Sequence, residues 1–131
     1  MRKLVSFLAL LLIVTIGGCH HRGDDFTDTI TSGTWWAESY FEKGDDHTYL
    51  FTGYVFTFLG DGTVTVIRPG TQPPTGYWNE YNNGTRMEFN FGSTNPLGKL
   101  TDTWVIDQIH DDEIRFHLVG APATVLWLHQ L

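Results

Sequence analysis

The residues that could act as catalytic nucleophiles or acid–base groups are few and show no catalytic spacing. Beyond residue 19 the serines are Ser32, Ser39 and Ser93, and none stands in a Gly-x-Ser-x-Gly motif. A glycosidase needs two opposed carboxylates in a cleft, whereas strand glutamates that alternate with apolar residues are typical of solvated faces. Glu38, Glu80 and Glu88 lie in or beside predicted strands and alternate with apolar residues in this way. The sequence therefore predicts a protein that is not an enzyme.

The six histidines show no metal-ligand spacing. His20 and His21 could contact copper, nickel or zinc, but two imidazoles on a polar segment form a weak site, and a solvated spacer is the favoured interpretation. The acidic pairs at 45–46 and 111–112 fall in predicted turns and lack the alternating pattern of a calcium loop. The other histidines are spread over separate predicted elements: His47, His110, His117 and His129. We expect no metal and no cofactor.

Composition narrows the class of protein further. The chain has 131 residues, 41% of them hydrophobic and 18% charged, which is typical of one globular domain. Its formal charge of −7 and its sparse, scattered Lys and Arg residues argue against a nucleic-acid partner, which requires clustered basic side chains. The single cysteine excludes an internal disulfide and any multi-cysteine zinc or iron–sulfur site.

The N-terminus predicts export and lipid attachment. Residues 1–18 contain Arg2 and Lys3, an apolar run over 4–16 that is too short for a ~30 Å hydrocarbon core, and two glycines before Cys19, as in a signal peptide. Ile16-Gly17-Gly18-Cys19 resembles the bacterial lipobox, in which a diacylglycerol is attached to the cysteine sulfur. Acyl chains on Cys19 would then anchor the protein to the membrane. The alternative is an ordinary secreted protein with a leftover thiol.

This interpretation places the mature protein in the bacterial cell envelope, anchored to the outer membrane through diacylglyceryl-Cys19. Removal of Arg2 and Lys3 changes the formal charge to −9. We expect residues 19–32 to form a polar tether. The acidic cluster near Cys19 resembles surface-export signals of some gut anaerobic bacteria, and Asp28-Thr29-Ile30 resembles their O-glycosylation pattern at Thr29.

From residue 33 onward the hydrophobic pattern has a period of two and is interrupted by turn residues, which predicts an all-β domain over 33–131 without a useful helix. Gly60-Asp61-Gly62 and Asn82-Asn83-Gly84 predict tight hairpins. The predicted strands cover or run through 35–41, 49–59, 63–67, 76–78, 86–91, 100–109, 113–118 and 124–131. Because closure removes exposed strand edges, we expect an eight-stranded antiparallel up-and-down barrel.

Several short motifs, and the order in which they follow one another, resemble those of lipocalins. Ser32-Gly33-Thr34-Trp35 resembles the Gly-x-Trp signature, in which the tryptophan, here Trp35, plugs the closed end of the barrel. The later motifs are similar to those of small lipocalin-like lipoproteins of gut anaerobic bacteria: 54–58 before 61–63, then 75–78, 102–106 and 126–128. The resemblance covers 33–131 and implies a calycin-type barrel in a family of unknown function. The chain is shorter than true lipocalins, has no cysteine pair and lacks a helix after the last strand.

Aromatic residues, 15% of the chain, are the remaining functional signal. The favoured interpretation is that most of them fill a narrow barrel. Strand alternation cannot bury both Trp35 and Trp36, or both Tyr77 and Trp78, so one of each pair must face outward. An outward ring is a platform for a sugar, a lipid or a protein. The candidate ligand-binding residues are Trp36, Tyr40, Tyr54, Tyr77, Trp78 and Trp104.

Three functional hypotheses follow from these patterns. The first is a non-enzymatic module that binds a small apolar or amphipathic ligand at the barrel mouth. The second is an acidic interaction or inhibitor module whose partner is a basic protein, because a net charge of −9 accelerates encounter with cations. The third is an architectural component of the envelope.

Overall fold

The computed structural model describes residues 22–131, with side chains described from residue 25 onward. It contains one α-helix, two short 3-10 helices and nine strands. The helical elements are α1 (Arg22–Ile30) and the 3-10 helices Thr48–Phe51 and Leu97–Leu100. The strands are β1 (Thr34–Glu42), β2 (Asp45–Asp46), β3 (Val55–Phe58), β4 (Thr63–Ile67), β5 (Gly76–Tyr81), β6 (Arg86–Asn90), β7 (Asp102–Ile109), β8 (Glu113–Leu118) and β9 (Ala121–Gln130).

Eight of the strands form a closed antiparallel barrel, as the sequence predicts. Strands β3 to β9 pair in chain order, β1 pairs with β3, and β9 returns to pair with β1. The closing ladder runs from Trp35 opposite Gln130 to Phe41 opposite Val125, with one bulge. The short β2 lies outside this ring and pairs only with the end of β1. Closure pairs the backbone N–H and C=O groups that the edge strands of an open sheet would expose.

The barrel wall is not uniformly paired. Strands β4 and β5 share only two residue pairs, Thr63 with Tyr77 and Val64 with Gly76. The chain above these pairs contains Pro73 and Pro74, which have no amide hydrogen to donate to β4. By contrast, the β8–β9 and β9–β1 ladders each hold six pairs. The barrel wall therefore has few residue pairs between β4 and β5, beside the loop 68–75, and many on both sides of β9.

Aromatic rings fill the interior of the barrel. Phe89 contacts Phe58 and Phe116 with ring centroids 5.7 Å apart in both pairs, and Phe56 contacts Phe91 at 5.8 Å. These contacts run across the barrel as well as along its strands. They confirm the prediction that most aromatic side chains belong to the core, and they leave the middle of the barrel packed.

The helix α1 covers 22–30, so this part of the predicted polar tether 19–32 is folded instead. Its side chains Phe26 and Ile30 are fully buried and belong to the core. Phe26 meets the rings of Trp78 and Phe116 edge-on. Residues four apart share one helix face, so a single turn suffices to bury both apolar side chains. Within the described residues, no helix is long and apolar enough to cross a membrane.

The turns follow the sequence prediction closely, while several strand boundaries differ, two of them because a 3-10 helix precedes the strand. Asn82 and Asn83 both have positive φ (55° and 56°), as a tight hairpin turn requires, and Gly62 has φ of 89°. The predicted strand 49–59 begins only at Val55, because Thr48–Phe51 forms a 3-10 helix. Likewise, the predicted strand 100–109 begins at Asp102, after the 3-10 helix Leu97–Leu100.

Candidate functional site

Three buried tryptophans fix the segments that cover the barrel ends. The indole Nε1 of Trp35 donates to the carbonyl oxygen of Ile30 at 2.8 Å, which ties α1 to the barrel. Trp78 donates to Leu59 at 2.8 Å and so holds the β3–β4 hairpin. At the opposite end, Trp104 donates to Leu100 at 3.0 Å and holds the second 3-10 helix. A buried indole N–H needs such a partner, so each ring fills the core and anchors a cover at once.

The interior provides no polar feature that would recognise a ligand. Among the described side chains, no buried nitrogen or oxygen lacks a hydrogen-bond partner. The rings pack against one another instead of lining a cup. Surfaces for binding must therefore be sought at the two ends and on the outer wall. The helix end is covered by α1 and carries the hairpins 59–62, 82–85 and 110–112, and the mouth end carries the loops 43–54, 68–75 and 91–101.

The mouth end contains a small apolar groove between two loops, which we call the mouth groove. Its volume is about 160 Å³, and Tyr54 forms its inner wall. The guanidinium carbon of Arg68 lies 4.9 Å from the centre of the Tyr54 ring, in cation–π geometry. The other lining residues are Thr71, Gln72, Pro73, Pro74, Thr94, Asn95, Pro96 and Leu97.

Beside the groove, the mouth end is closed by packing and by one ion pair. Tyr40 and Phe51 meet edge-to-face at 5.0 Å, and both are buried. Burial, together with the negative charge of Glu42, raises the pKa of Tyr40 to about 12. Glu42 accepts hydrogen bonds from Lys99 Nζ at 3.1 and 3.2 Å, which links the end of β1 to the second 3-10 helix.

The helix end contains a larger and acidic cleft, which we call the acidic cleft. It lies between α1 and the β7–β8 hairpin and has a volume of about 590 Å³. Among the side chains described there, four are carboxylates and none is lysine or arginine. Both carboxylate oxygens of Asp107 also lie 2.7–2.8 Å from Nδ1 of His117. The full lining is Asp25, Asp28, Thr29, Asp107, Gln108, Ile109, His110 and Asp111.

Two exposed carboxylates outside the cleft have structural roles in turns. Asp61 accepts hydrogen bonds from the backbone N–H and the hydroxyl of Thr63, and these bonds lower the pKa of Asp61. Asp46 accepts from the backbone N–H of Thr48, and hydrogen bonding with Thr48 lowers the pKa of Asp46. In both cases the carboxylate binds the backbone N–H two residues further on, which stabilises the local backbone conformation.

The predicted ligand-binding residues do not form one surface. Trp36 and Tyr77 face outward with 38% and 58% exposure, whereas Trp35 and Trp78 are buried, which confirms the alternation argument. Tyr54 lines the mouth groove. The expectation that Tyr40, Trp78 and Trp104 present their rings to a ligand is corrected, because these rings are packed in the core.

The remaining predicted residues that the structure describes lie at or near the helix end. Gly33 precedes β1, and its lack of a side chain leaves room for Gln130. Trp35 is fully buried at this end, where its indole N–H donates to Ile30. Thr29 is half-buried on α1 and lines the acidic cleft. Cys19 lies outside the described residues.

Sequence analysis missed the acidic cleft because it missed α1. The signal that could have found the helix is the four-residue spacing of Phe26 and Ile30, with acidic Asp24 and Asp25 near the start of the helix. Once α1 is placed over the barrel, Asp25 and Asp28 face the β7–β8 hairpin across the cleft.

Comparison with known proteins supports the fold. A crystal structure of a DUF4847 family protein from Bacteroides vulgatus superposes with a TM-score of 0.57 and 18% sequence identity, covering 78% of this chain and 94% of that protein. The similarity identifies the closed eight-stranded barrel as a known architecture. No family model matches the sequence, and a search of curated proteins found no match.

Proposed function

We propose that the protein is a non-enzymatic, lipocalin-like lipoprotein of the bacterial cell envelope that binds a small apolar or amphipathic ligand at the barrel mouth. The observation that carries this proposal is the mouth groove, whose walls are built from Tyr54, Leu97 and three prolines. Rigid proline loops preform an apolar surface at little entropic cost. The cation–π contact of Arg68 leaves a positive charge beside the groove, which suits a ligand with a polar or anionic end.

The size of the groove limits the ligand. Sites that enclose a whole drug-sized molecule usually measure about 300–1,000 Å³, whereas the mouth groove measures about 160 Å³. The interior cannot extend it, because Phe51, Phe56 and Phe91 already pack below the mouth end. The bound portion is therefore a single ring or a short acyl segment, and the rest of the ligand remains in solvent.

Lipid on Cys19 would also orient the barrel. Two residues separate Cys19 from the start of α1 at Arg22, so even a fully extended spacer reaches only about 10 Å. The helix end would then face the bilayer, and the mouth groove would point away from it, open to ligands in the surrounding space. This orientation follows from the proposed anchor and the observed position of α1.

Membrane fractionation tests the anchor. Cys19→Ala should move the protein from the membrane fraction to the soluble fraction, because the diacylglyceryl group can no longer be attached. Ser39→Ala, a substitution within the domain, should leave the protein with the membrane. Continued membrane retention of the Cys19→Ala variant would refute the anchor.

Native mass spectrometry of protein purified from its host's envelope tests the ligand. We expect an adduct of a few hundred daltons that Thr94→Trp removes, because Thr94 is an exposed residue that lines the groove. Thr65→Trp is the matched control, since Thr65 is exposed on the outer face of β4. A clean unliganded mass, or an adduct that survives Thr94→Trp, would count against binding at the mouth.

A second candidate function is an acidic module that binds a basic protein, and the acidic cleft favours it. Four carboxylates converge on a cleft of about 590 Å³ in a chain of formal charge −7. Such a field accelerates encounter with a cationic partner and weakens as salt rises. The partner class would be a cationic envelope-directed protein such as a lysozyme.

Binding to a cationic lysozyme at low ionic strength tests this second function. The double variant Asp28→Asn/Asp111→Asn should weaken binding by a factor of ten or more. The double variant Asp45→Asn/Asp46→Asn removes the same formal charge at the mouth end and should have a much smaller effect. Absence of binding at low ionic strength, or equal effects of the two variants, would eliminate the cleft as the binding surface.

A further inference from the structure

The outer face of β5 and β6 carries an exposed tyrosine among planar polar side chains. Tyr77 stands directly opposite Asn90, and the next outward pair is Asn79 opposite Glu88. These four residues, which we call the Tyr77 patch, line a shallow groove of about 180 Å³ together with Trp78. From strand geometry the patch spans about 5 Å across the strands and about 7 Å along them.

Apart from Oδ1 of Asn90, the hydrogen-bonding groups of the Asn79, Glu88 and Asn90 side chains are free, and they differ in character. Within the described part of the chain, the side chains of Asn79 and Glu88 have no hydrogen-bond partner on the protein, although both lie on a rigid ladder. Asn90 is oriented by its Oδ1, which accepts from the backbone N–H of Gly92 at 3.0 Å, so its two amide hydrogens remain available. The patch thus offers donors from Asn90, acceptors from Glu88, and both from Asn79.

From this arrangement we propose that the Tyr77 patch binds a neutral sugar ring of an oligosaccharide. The apolar C–H face of a pyranose packs on the exposed ring of Tyr77, whose π-face is electron-rich. Vicinal hydroxyls both donate and accept, so the two oxygens of Glu88 receive a diol while the amides of Asn79 and Asn90 complete its hydrogen bonds. The carboxylate of Glu88 and the negative formal charge of the chain disfavour acidic sugars.

A second outward ring indicates an extended ligand. Tyr81 lies on the same face of β5, four residues beyond Tyr77 and 39% exposed. The strand rise places the two rings about 13 Å apart. One monosaccharide cannot touch both, so an oligosaccharide that runs along β5 should bind more tightly than its monomer. This site is separate from the mouth groove and does not depend on the function proposed there.

Titration of the full chain in a sugar-free zwitterionic detergent tests the proposal by NMR. The probes are maltotetraose, cellotetraose and xylotetraose, with tetragalacturonate as the acidic comparison. We expect at least one neutral tetrasaccharide to shift the signals of Asn79 and Asn90, and Tyr77→Ala to weaken that binding at least tenfold. Tyr77→Phe should retain it, because the stacking ring remains.

The matched control is Tyr49→Ala, because Tyr49 is an even more exposed tyrosine at the mouth end. It should leave sugar binding unchanged. The proposal is overturned if no neutral probe binds or if Tyr49→Ala weakens binding as much as Tyr77→Ala. It is also overturned if tetragalacturonate binds the patch as tightly as the neutral sugars. Thermal melting of each variant confirms that the fold is intact.

Discussion

The two ends of the barrel are closed by the same device but present opposite chemistry. At the helix end, Trp35 donates to the C-terminal residue of α1. At the mouth end, Trp104 donates to the last residue of the second 3-10 helix. At the helix end, carboxylates lie beside α1. At the mouth end, prolines and Tyr54 lie beside the second 3-10 helix.

This difference shows where specificity can arise in a barrel whose interior is full. The core determines the architecture, and its closely packed, mostly apolar side chains leave no room for a ligand. The segments that close the two ends differ in charge and shape, and such differences do not disturb the pairing of the strands, as is common for loops on a rigid scaffold. A substitution at one end should therefore leave the other end unchanged.

The largest expected effect is the loss of the aromatic anchor at the helix end. Phe26→Ala should lower the free energy of unfolding by about 3–5 kcal/mol, because a fully buried ring is removed and a cavity remains. Urea unfolding measures it, with Asp25→Ala on the exposed side of α1 as control. If Phe26→Ala were as mild as Asp25→Ala, α1 would not be part of the core and the comparison of two closed ends would fail.

A smaller loss of stability is expected when the two tryptophans lose their indole N–H groups but keep an aromatic ring. Trp35→Phe and Trp104→Phe each leave a carbonyl without its indole donor, and each should cost about 1–3 kcal/mol beyond the lost volume. Hydrogen exchange should show increased opening of α1 in the first variant and of residues 97–100 in the second. Equal opening of both ends in each variant would contradict their independence.

Alkaline pH should destabilise the protein through the mouth end. Because the folded-state pKa of Tyr40 is raised from 10.0 to about 12, its contribution is complete below pH 10 and is lost as pH rises through 12. Stability should fall by up to about 1.4 kcal/mol per pH unit in this window. Unfolding measured across it checks the slope, which Tyr40→Phe should reduce. An unchanged slope would assign the loss to other groups.

The smallest effect is expected from the ion pair at the mouth end. Lys99→Met removes the partner of Glu42 but keeps most of the aliphatic stem, and the half-exposed pair should contribute less than about 1 kcal/mol. Thermal melting at low and high salt provides the measurement. A loss much larger than this would show that charge, rather than packing, closes the mouth end.

Strand alternation and turn chemistry were sufficient to predict most of the barrel. The run 86–91 alternates without exception, and its apolar members Met87, Phe89 and Phe91 are all buried. The Asn82-Asn83-Gly84 turn has the backbone that its residues require. Strand β8 has the predicted boundaries, 113–118. In each case one local pattern decides the structure, because a shift by one residue would expose the apolar face.

The candidate surfaces were harder to predict because they depend on which distant segments meet. Helix α1 is too short to be stable alone and gains its stability from packing on Trp78 and Phe116. The acidic cleft exists only because that packing brings residues 25–29 against residues 107–111. Likewise, Tyr54 and Trp104 are both aromatic and both buried, but the sequence does not show that Tyr54 also lines a groove.

Xenon binding tests most directly the claim that the barrel is filled and that binding occurs on its surface. Xenon enters dry apolar cavities that are too small for larger ligands. Crystals under xenon pressure should show no xenon among Phe56, Phe89 and Phe116, and at most a weak site beside Tyr54 in the mouth groove. A well-occupied site between those three rings would contradict the account, because the barrel would then hold an internal cavity.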